Sequence, residues 1–158
     1  MEIVAHLKFR KAKASDINFI YDSFLKSMKN DSSLGRLCTA HVFFKEFPAI
    51  IDRILSDSET LVASADEDDE TIIGYIIFEP NVVHYLFVKE AFRNLGIAKE
   101  LIGQALAGKM EFTYTSRTHH IREIIKKYPG ITFNPFKLYK KEHELLWQKE
   151  LSTTQQPN

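Results

Sequence analysis

The chain reads Val82-Val83-His84-Tyr85-Leu86-Phe87-Val88 and, after a short polar connector, Arg93-Asn94-Leu95-Gly96-Ile97-Ala98. The first segment is almost entirely apolar, β-branched or aromatic, and such a run is typical of a strand buried on both faces. Apolar residues at helical spacing continue from the second segment to Leu106, which predicts an amphipathic helix ending near Gly108. The segment Arg93–Ala98 therefore joins an interior strand to a helix.

The connection at Arg93–Ala98 has the chemistry of a phosphate-binding site. Backbone N–H groups in the first turn of a helix have no intrahelical acceptor, and the helix dipole adds positive potential, so this position suits a pyrophosphate. Gly96 lets the backbone approach a ligand without an intervening Cβ, and Arg93 can add a charge-assisted hydrogen bond. The alternative is an ordinary strand-to-helix turn, but the position between these two elements favours the phosphate site.

Apolar spacing and breaker residues predict the remaining elements. They are a short strand at Phe9–Ala12, a helix at Asp16–Lys29, a loop at 30–35, a helix at His41–Leu55 that Pro48 should kink or split, strands at Leu61–Ser64, Thr71–Phe78 and Glu111–Thr115, a helix at His119–Lys127, strands at Ile131–Phe133 and Phe136–Tyr139, and a helix at Lys141–Leu151. Antiparallel hairpins combined with one crossover predict the α+β class. Residues 1–151 are expected to form one domain, and the polar residues 152–158 a disordered tail.

The composition excludes several classes of protein. The 21 basic and 21 acidic side chains balance, so no net field draws the chain to nucleic acid or to an anionic membrane. A single cysteine, Cys38, excludes a disulfide-stapled secreted scaffold, and no segment is as long as a membrane span, so we expect a cytoplasmic protein without a membrane partner. The acids from Asp66 to Glu70 lack the spacing of a calcium loop, and no metal site is expected. The composition leaves the oligomeric state open, a dimer included.

The segment Arg93–Ala98 resembles the cofactor motif of the GCN5-related N-acetyltransferase (GNAT) family. That motif is Arg/Gln-x-x-Gly-x-Gly/Ala between a strand and a helix, and residues 93, 96 and 98 occupy its defined positions. The order of predicted elements is also similar from Lys8 to Tyr139. The resemblance implies a mixed, mostly antiparallel sheet of six to seven strands flanked by helices, with acetyl-CoA as acyl donor. It also implies a set of cofactor-binding residues, namely Phe87, Val88, Arg93, Asn94, Leu95, Gly96, Ile97 and Ala98.

Family members add a primary amine directly to the thioester of acetyl-CoA, so the resemblance implies an N-acetyltransferase without a metal or an acyl-enzyme. The pantetheine arm would pair with the fourth strand where it splays from the fifth, and a backbone N–H near Phe87 or Val88 would hold the oxyanion. The family's thiolate-protonating tyrosine would fall at Lys126 in this chain. Tyr114 and Tyr128 are therefore the candidate acids, each with a core or rim aromatic as the alternative.

Four residues are candidate general bases for the amine, namely Glu79, His84, Tyr85 and Glu111. A free histidine titrates near neutral pH, but a histidine in a buried strand is equally consistent with a structural role. Glu79 precedes Pro80 at a strand end, which opens more readily to an incoming amine than a mid-strand position. We therefore place Glu79 slightly ahead of His84.

Two other functions remain open at the level of sequence. The first is a GNAT-fold protein that binds CoA but has lost catalysis, and the absence of the family's tyrosine from its usual position supports it. The segment from Lys109 to Lys141 contains eight basic and two acidic residues, which would suit an acyltransferase acting on aminoacyl-tRNA, although a solvated basic face is favoured. The resemblance implies that the acceptor cleft is lined by residues 28–38 and 133–137, whose mixed charge does not choose between a small-molecule amine and a protein amine.

Overall fold

The computed structural model describes residues 3–109, 111–139 and 149–153. In these ranges the helices are α1 (Ile17–Asp31), α2 (Ser33–Leu37), α3 (Ala40–Asp57), α4 (Ile97–Ala105) and α5 (His119–Ile125). The strands are β1 (Leu7–Lys11), β2 (Glu59–Ala65), β3 (Ile72–Glu79), β4 (Val82–Val88), β5 (Phe112–Tyr114) and β6 (Ile131–Phe133). Short 3-10 turns lie at Ile3–His6, Ala14–Asp16, Glu90–Phe92 and Pro135–Tyr139.

The six strands form one sheet in chain order, from β1 to β6. The pairs from β1 to β4 are antiparallel, whereas β4 and β5, and then β5 and β6, are parallel. Parallel neighbours require a crossover connection, and α4 and α5 supply the two crossovers. This confirms the predicted α+β class with a mixed, mostly antiparallel sheet flanked by helices.

Two apolar layers cover the sheet. On one face α1 and α3 pack against it, and Phe24 and Tyr85 are almost completely buried between them. On the other face α4 and α5 cover the sheet, where Leu86 and Leu101 are buried. Because β4 contributes side chains to both layers, it is the interior strand that its composition predicts.

One residue of β4, His84, has no opposite residue in β3. Ile77 lies opposite Tyr85 and Phe78 lies opposite Val83, so His84 is the extra residue of a β-bulge. The alternation along β4 therefore shifts by one residue at His84. Before and after the bulge, a different set of alternate residues turns its N–H and C=O groups toward β3.

The strands β4 and β5 part after two residue pairs. Pairing joins Val82 to Thr113 and Val83 to Tyr114, and the last hydrogen bond runs from the Thr115 N–H to the Val83 carbonyl oxygen at 3.1 Å. Within the described residues the two strands pair no further, so a gap opens between them toward the C-terminal end of β4. This confirms the predicted parting of the fourth and fifth strands.

The predicted loop at residues 30–35 is wrong in part, because α2 forms there. The Ser32 hydroxyl accepts a hydrogen bond from the Gly35 N–H at 3.0 Å and caps this helix. A Cβ on Gly35 would lie 2.1 Å from the Met28 carbonyl oxygen, so glycine allows α2 to fold back against the end of α1. The sequence contained the capping serine, but the close approach of the two helices is a tertiary effect.

Three further boundaries differ from the prediction. The helix α3 continues through Pro48 without splitting, since its long buried stripe, which includes Phe47 and Ile51, packs on both sides of the proline, and a kink at Pro48 stays a prediction. The predicted strand Phe136–Tyr139 is wrong, because a 3-10 turn spans this segment and the Asn134 side chain accepts a hydrogen bond from the Phe136 N–H at 3.1 Å. Residues 149–153 are helical, including the first two of the predicted tail. The rest of the predicted helix Lys141–Leu151 and of the tail lies outside the described residues.

Candidate active site

The loop between β4 and α4 adopts a conformation that few residue types allow. Asn94 and Gly96 both have positive φ angles, 62° and 85°, and Gly96 is the N-cap of α4. A Cβ on Gly96 would approach only the Val4 side chain, at 4.0 Å, so the space beside this glycine is open. The first turn of α4, whose free amides start at Ile97, thus begins beside a glycine that leaves room for a phosphate to approach.

A cleft of about 400 Å³ lies between this loop, the end of β4 and the helix α5. Its lining residues are Leu86, Val88, Phe92, Arg93, Asn94, Gly96, Ile97, Ala98, Lys99, Glu123, Ile124, Lys127 and Tyr128. Three of them are basic and one is acidic, which gives the cleft the charge that a polyphosphate needs. The structure thus brings Arg93, Asn94, Gly96, Ile97 and Ala98 to one cleft. Leu95 does not line it, and its side chain is exposed.

The edge of β4 that faces the gap presents backbone amides. The Lys89 N–H donates to the Ile73 carbonyl oxygen at 2.9 Å, so these two residues form a hydrogen-bonded pair of the antiparallel ladder. Bonded and non-bonded pairs alternate along such a ladder, which turns the N–H groups of Val88 and Leu86 away from β3 and toward the gap. An extended ligand in the gap would find both donors on one edge.

Phe87 does not belong to this edge. By the same alternation its N–H faces β3, and its ring packs on the opposite face of the sheet, with centroids 5.8 Å from Phe19 and 5.3 Å from Tyr75. Of the two residues named for the predicted backbone donor, Val88 and not Phe87 therefore turns its N–H toward the gap. Leu86 takes its place beside Val88, because the bulge at His84 sets the phase of the strand.

Arg93 ties the loop to the strand that precedes it. Its Nε donates to the Val88 carbonyl oxygen at 3.2 Å, which points to the gap as the Val88 N–H does. The guanidinium therefore lies at the mouth of the gap, where it also lines the cleft. A planar cation in this position suits a phosphate oxygen.

The bulge residue His84 makes two side-chain hydrogen bonds. Its Nε2 lies 2.7 Å from Glu79 Oε2 and its Nδ1 lies 2.9 Å from Thr115 Oγ1, and only 3% of His84 is exposed. Burial lowers the pKa of His84 below its ordinary value, and the Glu79 and Asp57 carboxylates oppose that shift. Two of the predicted bases, Glu79 and His84, are thus a single hydrogen-bonded pair.

The pair lies away from the cofactor cleft. Glu79 lines a second cavity of about 420 Å³ at the β3–β4 turn, together with Asp57, Asn81 and Lys109. Its side chain is 36% exposed, so it meets solvent there. His84 is at the closed end of the gap, where the pairing of β4 and β5 stops.

The remaining candidates occupy different positions. Tyr128 lines the cofactor cleft, whereas Tyr114 is buried in the core with its ring centroid 5.1 Å from that of Phe133. Burial raises the pKa of Tyr85 well above its ordinary value, so this hydroxyl keeps its proton at neutral pH and is unsuited to act as a base. Glu111 lines another cavity with Gly130, at the start of β5, away from the loop.

Sequence reasoning missed several residues of this site. Lys99 and Lys127 line the cleft, and their charge near the motif was the available signal. Leu86 and Thr115 depend on the bulge and on the point where two strands part, which no local pattern reveals. Among the described residues, no cluster of three or more His, Cys, Asp and Glu side chains could hold a metal ion. In the described part of the chain, no helix is both long and apolar enough to cross a membrane.

A family model for the acetyltransferase (GNAT) domain matches residues 26–119, more than half of the chain. The chain belongs to the GNAT acetyltransferase family. The matched range runs from α1 to the start of α5 and includes β4, the loop at Gly96 and α4, whereas the residues of the cleft at Glu123 and beyond lie after it. A comparison with curated proteins finds no match.

Several solved structures are similar to this chain at low sequence identity. The apo form of YjaB from Escherichia coli has a TM-score of 0.57 at 15% identity, over 77% of this chain and 80% of that one. A candidate acetyl transferase from Pyrococcus furiosus has a TM-score of 0.51 at 13% identity, over 87% and 91%. A GNAT family acetyltransferase from Brucella melitensis in complex with acetyl-CoA has a TM-score of 0.47 at 18% identity, over 75% and 81%.

Proposed function

We propose that this protein transfers an acetyl group from acetyl-CoA to a primary amine by direct attack. The observation that carries the proposal is the continuity of one site: an anion-binding loop at Gly96 opens into a gap whose edge presents the Val88 and Leu86 amides. Membership of an acetyltransferase family supports the same reaction class.

The dimensions of the gap suit the pantetheine arm. This arm has about as many backbone bonds as four extended residues, a length of about 14 Å. Val88 lies four positions after His84, which corresponds to about 13 Å of strand. Because the arm starts at the pyrophosphate beside Gly96, outside the gap, part of its length is used before it reaches Val88, and the thioester would lie short of His84, near Leu86. The Leu86 N–H is our proposed donor to the oxyanion.

We assign the proton transfers to residues on either side of the thioester. Glu79 and His84 together would accept the proton of the amine, and Tyr128 in the cleft would protonate the thiolate in preference to the buried Tyr114. An acyl-enzyme is not part of the proposal. Cys38 packs with the layer on the α1 and α3 face of the sheet, whereas the cleft lies on the α4 and α5 face.

The acceptor is a small-molecule or protein amine in this proposal. The basic cleft lining is accounted for by the phosphates of CoA, so the lining does not by itself favour tRNA. We also propose that the protein acts in the cytoplasm. A non-catalytic CoA-binding protein is the alternative that shares every feature of the cleft except turnover.

An acceptor screen tests the proposal. Purified protein would be incubated with acetyl-CoA and a panel of amines: a polyamine, free amino acids, an aminoglycoside, peptides with a free N-terminus or lysine, and aminoacyl-tRNA. Thiol release and the mass of the acetylated product would be measured together, with Gly96→Glu as the negative control. Tight CoA binding without product from any amine would refute catalysis and favour the non-catalytic alternative.

A further inference from the structure

The side chains of Thr115, His84 and Glu79 form a chain whose proton positions can be deduced. A carboxylate only accepts hydrogen bonds, so the bond of 2.7 Å to Glu79 Oε2 places a proton on His84 Nε2. The neutral ring then carries no proton on Nδ1, which must accept from the Thr115 hydroxyl at 2.9 Å. The Thr115 hydroxyl is thereby oriented with its free lone pairs away from His84.

This chain of hydrogen bonds runs from the point where β4 and β5 part to the second cavity. Thr115 forms the last hydrogen bond between β4 and β5, so its side chain stands where the gap begins. At the other end Glu79 borders the second cavity and meets solvent. Thr115 and His84 are each only 3% exposed, so the two bonds form a dry path between the closed end of the gap and water.

The charges around His84 suit a group that takes up a proton and then releases it. Glu79 from β3 and Asp57 from the end of α3 are the charged groups that act on the ring among the described residues, and both favour the protonated form. Burial acts against them and keeps the ring neutral at pH 7. The ring can therefore accept a proton, and its imidazolium form would be stabilised by the Glu79 carboxylate.

We propose that Thr115, His84 and Glu79 act as a proton relay for the attacking amine, an inference that rests on the acetyl transfer proposed above. As the amine nitrogen bonds to the thioester carbon, its proton passes to Thr115 Oγ1 while the proton of Thr115 passes to His84 Nδ1. The carbon–sulfur bond then breaks and the thiolate receives a proton from the cleft side. His84 then loses its Nε2 proton through Glu79 to water in the second cavity. After the product leaves, the ring returns to its resting tautomer, because the Nδ1 proton passes back through Thr115 to water in the gap and Nε2 takes up a proton from the Glu79 side. The thiolate's proton donor is restored from solvent.

The relay is tested by removing one hydroxyl. Thr115→Val keeps the shape of the side chain, and we expect it to lower kcat by about 100-fold, as expected for lost general-base catalysis, while acetyl-CoA affinity changes less than twofold. Thr115→Ser should restore most of the rate. The matched control is Thr113→Val, two residues earlier on β5, which should retain the wild-type rate. Glu79→Gln should move the rising limb of the pH–rate profile to lower pH, because the carboxylate raises the pKa of His84.

A second measurement does not depend on turnover. Nitrogen-15 NMR of the histidine side chains should show the His84 proton on Nε2 at pH 7, with an Nδ1 resonance that shifts in Thr115→Val. Wild-type kcat and pH profile in Thr115→Val, or a proton on Nδ1 in the wild-type protein, would overturn the relay. These results differ from the failure of the proposed function, which would be a wild-type protein that acetylates no amine.

Discussion

Replacing Gly96 by glutamate tests the anion-binding loop directly. Gly96 has a φ of 85° and is the N-cap of α4, and a new Cβ would meet only the Val4 side chain at 4.0 Å. The added side chain therefore finds room in the folded protein, but it extends into the space where the pyrophosphate of CoA would bind. We expect Gly96→Glu to fold and to lose its affinity for acetyl-CoA.

Two energetic effects set the size of the loss. A side chain on a residue in the left-handed region costs about 1–2 kcal/mol. This cost lowers the stability of the fold and of the loop conformation, and it adds no charge at the phosphate site. A carboxylate about 5 Å from a phosphate charge adds repulsion of about 3 kcal/mol at an effective dielectric constant near 20. Repulsion of this size corresponds to a loss of affinity of roughly 150-fold before salt screens part of it, so the titration is made at low ionic strength.

Titration calorimetry with two companion variants separates these effects. Gly96→Ala carries the backbone strain without the charge and should lose less than about tenfold in affinity. Gly103→Glu places the same charge on the same helix, where a Cβ meets nothing within 4 Å, and should bind as the wild type does. Equal affinity in Gly96→Glu and Gly103→Glu would refute the assignment of the loop as the phosphate site.

Three further outcomes follow from the structure. Cys38→Ala should keep most of the acetylation rate, since the thiol packs on the face of the sheet opposite the cleft; a folded but inactive variant with an acetylated wild-type Cys38 would refute direct attack. Asp16→Asn should lower the free energy of unfolding at pH 7 and reduce the further loss of that free energy below about pH 4. The Arg10 guanidinium lowers the pKa of Asp16, so the wild-type protein loses this stabilisation as the pH falls through the folded pKa, and the variant has none of it to lose. Identical curves of stability against pH for the two proteins would contradict this. Leu101→Ala should cost about 2–5 kcal/mol in denaturant unfolding, since Leu101 is completely buried under the sheet, and a cost below 1 kcal/mol would argue against the packing of α4.

Local patterns were sufficient for the elements that carry strong periodicity. The apolar run Val82–Val88 predicted an interior strand because both faces of it are covered, and spaced apolar residues after Gly96 predicted α4. The segment Phe136–Tyr139 has strand-like composition but forms a 3-10 turn. The Asn134 side chain accepts a hydrogen bond from the Phe136 N–H, which would otherwise be available to a neighbouring strand. Short segments of this kind depend on local hydrogen bonds that composition does not encode.

The candidate site could be predicted only as far as its motif. Arg93, Gly96 and Ala98 were found because a phosphate site at a helix start needs specific residue types. The backbone donors could not be assigned, since any residue supplies an N–H and only the register shows which ones face the gap. The pairing of His84 with Glu79 and Thr115 joins residues from three segments, and a tertiary contact of this kind leaves no trace in local spacing.

The bulge at His84 offers a deletion that separates binding from catalysis. The backbone of Val83 hydrogen-bonds to β5, and that of Tyr85 faces β3. If the two residues were adjacent, their backbone groups would therefore point to opposite sides, as those of neighbours in a regular strand do. Deleting His84 should therefore preserve the register on both sides, the buried layers and the gap-facing amides of Val88 and Leu86. We expect the deletion variant to bind acetyl-CoA within about threefold of wild type by calorimetry and to acetylate amines about 100-fold more slowly, since it loses the proton acceptor but no cofactor contact. Unchanged turnover in a folded deletion variant would show that the amine loses its proton by another route, and lost CoA binding would show that the bulge shapes the gap.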